Sequence, residues 1–182
     1  MKQIVLITLS CAIMAFYGCS PEKVQQSQQK IPAITLTPAD KEMLMAFQKD
    51  LLNIENLTDK AIKLAGDELK NVIKGGGVSI SLPAIIEKAK IECQQAGESL
   101  AQKKVPGTLS PETRKLLEDA KIGLIAAYKA YAESFDAVRG FITDKNPMAL
   151  LEYRKKSSEA QKLYEEAAGK FKKIMTAAGV AQ

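Results

Sequence analysis

Apolar residues recur along most of this chain at alternating steps of three and four, and four such stretches are legible. The first, about residues 38 to 74, carries Leu44, Phe47, Leu51, Ile54, Ala61, Leu64 or Ala65, Leu69 and Val72 on one broad stripe. The second, about 83 to 104, presents Ile86, Ala89, Cys93, Ala96 and Leu100 on a narrower one. The third, about 111 to 143, runs through Leu117, Ala120, Leu124, Ala127, Tyr131, Ser134, Val138 and Phe141. The fourth, about 147 to 178, runs through Leu150, Tyr153, Ser157, Ala160, Tyr164, Ala167, Phe171, Ile174 and Ala178. A spacing near 3.6 residues gathers such positions on one face of a helix, whereas a half-buried strand needs strict alternation.

The boundaries are punctuated by proline. Thr37-Pro38, Ser81-Leu82-Pro83, Ser110-Pro111 and Asn146-Pro147 each place a capping side chain at or near a helix start, with Pro just inside it. Gly75-Gly76-Gly77 and Pro106-Gly107 mark stops. Short links between successive amphipathic helices favour antiparallel neighbours. The pattern therefore predicts an all-α domain over residues 37–182, an up-down-up-down four-helix bundle. The first helix would run about 55 Å and the second only about 33 Å at 1.5 Å per residue. Either the links flanking the short helix cover that difference, or a groove is left beside it.

Ahead of the bundle the pattern changes twice. Lys2 precedes an uncharged, mostly apolar run from Ile4 to Tyr17, ending at Gly18-Cys19. The run is about 14 residues, short of the roughly 20 a membrane-spanning helix needs, and Pro21, Glu22 and Lys23 stop it. Residues 20 to 36 are polar and Gln-rich at first, carry prolines and hold no sustained stripe, which predicts a flexible tether.

Phe16-Tyr17-Gly18-Cys19, a small residue immediately before a Cys at the end of an apolar leader, resembles the lipobox of bacterial lipoproteins. The resemblance covers the leader alone, and no family resemblance is evident over residues 37–182. It implies that residues 1–18 are a cleaved signal peptide and that Cys19 becomes the lipid-bearing first residue of the mature chain. In that family the sulfur receives a diacylglyceryl group, and the new amino group often receives an acyl chain such as palmitate. Phe16 stands where the family usually has Leu. Ser20, being other than Asp, implies delivery to the outer membrane, facing the periplasm, in a host with two membranes. Two or three acyl chains suffice for stable attachment, since each buried methylene contributes about 0.8 kcal/mol.

Composition narrows the chemistry. The 182 residues contain no His and no Trp, so His-based acid–base catalysis, His-containing metal sites and di-iron bundle motifs are excluded. A net charge of +5 is too mild to argue for nucleic acid. The glycine run Gly75–Gly77 lacks the Lys-Ser/Thr ending and the preceding strand of a phosphate loop. Cys93 falls on an apolar stripe and reads as core. Glu133 and Asp136, three apart, read as a solvated face. Tyr128, Tyr131, Tyr153 and Tyr164 are candidates to line a polar pocket for a small ligand. Arg154-Lys155-Lys156 and Lys170, Lys172 and Lys173 are candidate contacts for anionic lipid or an acidic partner, or simply solvated faces. The expectation is a membrane-anchored, non-enzymatic interaction module with an envelope protein partner, without metal, cofactor or catalytic residues. The alternative is a small-ligand-binding or sensing bundle.

Overall fold

A computed structural model describes residues 34–180, and the leader, Cys19 and the tether up to residue 33 lie outside the described residues. Four helices follow one another: α1 (Pro38–Ile73), α2 (Leu82–Gln102), α3 (Pro111–Asp144) and α4 (Pro147–Ala177). Among the described residues there is no strand, and no helix is long and apolar enough to cross a membrane. Each helix begins within one residue of the expected place, because proline has no N–H to leave unsatisfied in a first turn and its φ is already helical.

Three of the four expected caps form. Thr37, Ser110 and Asn146 accept hydrogen bonds from the backbone N–H groups of Asp40, Thr113 and Met148. Ser81 makes no side-chain cap, its hydroxyl being paired with that of Ser79 at 2.6 Å. At the end of α1, Gly75 turns the chain at φ 91°, a conformation that strains any residue with a Cβ.

Pairing across the helices shows every neighbour to be antiparallel. Between α3 and α4, Gly123 meets Ala167, Tyr128 meets Tyr164, Phe135 stacks on Tyr153 and Gly140 lies against Ala149, so one number rises as the other falls. Between α2 and α3, Lys90 pairs with Asp136 at 2.7 Å, while Lys121 donates to the Lys103 carbonyl at 2.9 Å. Between α1 and α4, Phe47 meets Phe171 and Gly66 faces Tyr153. The α1–α2 and α3–α4 links therefore share one end of the bundle. The α2–α3 link and both ends of the described chain share the other, where the Ile34 N–H donates to the Ala177 carbonyl.

The core is leucine-rich. Leu44, Leu51, Leu69, Leu82, Leu100, Leu117 and Leu124 are essentially inaccessible, each contributing about 1.5–3 kcal/mol by burial. Lys121, almost fully buried, is satisfied by the Lys103 carbonyl and by Glu118 at 2.8 Å. The length mismatch between α1 and α2 is covered from the α2–α3 link, where Val105 and Leu109 join the core, and the described grooves flank α4, not α2. The packed part also begins before residue 37: Ile34 and Leu36, read as tether, lie against the core.

Candidate functional site: the seam between α1 and α4

Close backbone packing joins α3 to α4, α2 to α3 and α1 to α2. The remaining seam, α1 against α4, is spanned by long side chains, and most of the bundle's unusual polar groups collect there. Its lower end is apolar, with the Phe47 and Phe171 ring centroids 6.3 Å apart.

At mid-height the seam is acidic and phenolic. Glu55, half-buried on α1, stands beside Tyr164, and desolvation, reinforced by Asp59 one turn on, raises its carboxyl above the usual range. Asp59 is raised by desolvation as well, although its side chain reaches solvent. Behind them stand Tyr128 and Tyr131 of α3 and Cys93 of α2. Burial pushes the Tyr131 phenol up to about 12 and the Cys93 thiol up to about 12, with Asp59 adding to both. Tyr164 and Tyr128 are displaced upward mainly by burial, with Glu55 next. Tyr131 donates to Gln161, whose amide donates to Glu165 at 2.8 Å. Tyr128 is fully buried and its hydroxyl has no hydrogen-bond partner. Chemically this is a set of phenols that stay protonated around carboxyls that hold their protons unusually well.

Higher up, α1 and α4 diverge around an open groove of about 510 Å³. Gly66 and Tyr153 lie at its deeper part, and the half-buried Tyr153 stands beside Ser157. Lys70 of α1 and Lys74, the residue that caps its C-terminus, line it opposite Arg154 of α4. A second open groove, about 700 Å³, lies on the other side of α4 against α3 and takes in Met148, Leu151, Lys155 and Lys156.

The residues singled out from the sequence are distributed unevenly over this picture. The four tyrosines do come together. The basic run is divided: Arg154 borders one groove and Lys155 the other, while Lys156 is paired with Glu152 at 3.0 Å. Lys170 is paired with Glu166 at 2.8 Å, and Lys172 and Lys173 are exposed. Glu133 is exposed and Asp136 is engaged with Lys90. Cys93 is fully buried. Cys19 lies outside the described residues. Glu55 and Asp59 escaped the sequence reading. The available signal was Thr58, a polar residue interrupting the core stripe of α1 between Ile54 and Ala61; it is buried and satisfies its hydroxyl on the Ile54 carbonyl. The chain matches no family model, no curated protein and no solved structure.

Proposed function

We propose that this protein is a lipid-anchored envelope lipoprotein, attached through Cys19, whose helical bundle is a non-enzymatic interaction module for another envelope protein. One observation carries the reading. At the end of the bundle formed by the α1–α2 and α3–α4 links, Val78, Met148 and Leu151 are exposed and Ile80 is fully exposed. Ile80 is the most exposed of the large apolar side chains described, and exposed apolar side chains at the end of a domain favour a partner that removes them from water. Ile34, the first described residue, lies at the opposite end, where its N–H donates to the Ala177 carbonyl.

Two experiments test the parts separately. Fatty-acid labelling of cells should mark the wild-type chain and not Cys19→Ala; equal labelling of both removes the anchor. A photo-crosslinking residue at position 80 should give a discrete protein adduct in intact cells, while one at exposed Ile122, about a third of the way along α3, should not. Adducts that are absent at 80, or equal at 80 and 122, remove the docking end.

A further inference from the structure

The groove between the last turns of α1 and the early turns of α4 is lined by three cations, Lys70, Lys74 and Arg154, and by no carboxylate. Lys74 and Arg154 have no ion-pair partner among the described residues, and Lys70 has only an exposed one, Asp67 at 3.6 Å. Unpaired lysines occur on other exposed faces too; what sets this groove apart is that cations from two different helices line one space with no carboxylate among them. The position of Lys70 and Lys74 at the negative end of α1 accounts for those two, but α4 gives Arg154 no such reason, being in its third turn and far from that helix's C-terminus.

The hydrogen-bonding groups match. Tyr153 and Ser157 supply hydroxyls beside Arg154, and Ser158 adds a third. Gly66 presents no side chain where the Tyr153 hydroxyl lies, its missing Cβ being 3.9 Å from that oxygen. A guanidinium with two ammonium groups and hydroxyl donors is the equipment for an oxyanion with several acceptor oxygens. A volume of about 510 Å³ exceeds what an inorganic ion fills, and the half-exposed Ile73 gives one wall an apolar strip. We propose that this groove binds a phosphate ester, held by Lys70, Lys74 and Arg154. Two sources share that chemistry, a free phosphorylated small molecule and an anionic phospholipid headgroup. The site goes beyond the docking role and does not depend on the lipid at Cys19.

The test is thermal unfolding, followed by circular dichroism, of the full chain in non-ionic detergent. One arm adds millimolar glycerol 3-phosphate; the other dopes the micelles with phosphatidylglycerol, against phosphatidylcholine. At a tenfold excess over Kd, occupancy raises Tm by about 3 °C for a domain of this size. A rise with glycerol 3-phosphate identifies a free ester, and a rise with phosphatidylglycerol alone identifies a headgroup. Either rise must vanish in Arg154→Gln and in Lys74→Glu, and persist in Lys173→Glu, which changes an exposed lysine near the other end of α4. Phosphates also stabilise proteins by exclusion from the surface, an effect all variants would share. A shift as large in Arg154→Gln as in wild type overturns the proposal, as does no shift with either probe.

Discussion

Gly123→Ala is the sharpest test of how closely α3 and α4 pack. Built on the present backbone, the new Cβ would lie 2.8 Å from the Ala167 Cβ and 3.7 Å from its Cα. Carbon atoms prefer about 3.5–4.0 Å, and neither methyl has a rotamer through which to escape. The two helices must move apart, at the expense of the alanine-lined contact that buries Ala127 and Ala160. Two effects oppose each other. Replacing Gly by Ala inside a helix favours folding by about 1 kcal/mol, while overpacking a close interface costs about 1–3 kcal/mol. Overpacking wins, for a net loss of about 1 kcal/mol. Gly97→Ala and Gly169→Ala are matched controls within α2 and α4, since a Cβ there meets nothing within 4 Å. They should gain about 0.5–1 kcal/mol from propensity alone. Urea unfolding read by far-ultraviolet circular dichroism at constant m resolves these signs, 1 kcal/mol moving the midpoint by about 0.5 M. Adding Ala167→Gly to Gly123→Ala should restore part of the loss, with a coupling of about 1 kcal/mol. A Gly123→Ala midpoint as high as that of Gly97→Ala would refute the close approach.

Other consequences lie in the seam. Tyr128→Phe removes a buried hydroxyl without a partner and should raise stability by about 1 kcal/mol in the same urea assay; a loss of that size means that the hydroxyl is satisfied after all. Cys93, with its thiol pushed up to about 12, should react with a thiol reagent at pH 8 about a thousandfold more slowly than an ordinary exposed cysteine, judged by mass of its peptide. Equal rates in native and urea-unfolded protein would contradict the burial. Glu55 and Asp59 make the fold prefer mildly acidic solution. Their folded values lie above their unfolded ones, so between the two the native state binds more protons, and stability falls as pH rises through the folded values. The groups facing them, Tyr164 and Glu165 of α4, Tyr128 and Tyr131 of α3 and Cys93 of α2, are neutral or acidic and offer no compensating cation. Asp40, lowered by hydrogen bonds from Thr108 and Thr37, and Glu166, lowered by Lys170, act oppositely, and their contributions are lost as pH falls further. The urea midpoint should therefore be higher at about pH 5 than at about pH 7.5, and Glu55→Gln should flatten that difference; an unchanged slope in the variant assigns it elsewhere.

Local chemistry made much of this protein legible. Proline after Thr37, Ser110 and Asn146 set three helix starts, and the same signal near Ser81 set the fourth although its cap did not form, because the missing proline N–H matters more than the side-chain acceptor. The stripe through Leu44, Leu51 and Leu69 named core positions of α1 without reference to any other helix, since period alone decides which residues share a face. Leu64, offered as an alternative to Ala65 on that stripe, proved exposed while Ala65 is buried, a difference of one residue that only the direction of the neighbouring helices resolves.

Sequence by itself determined the class, number, limits and inward faces of the helices, because capping, proline and periodicity act within a few residues of one another. The tertiary structure alone decided that α1 and α4 meet through side chains and not through close backbones, and with that the company each polar residue keeps. Glu55 lies beside Tyr164, and Lys74 lies across a groove from Arg154, at sequence separations where no local rule operates. Desolvation and facing charge are properties of that company, so the carboxyls that hold their protons and the cations left unneutralised emerge only when the first and last helices are brought side by side.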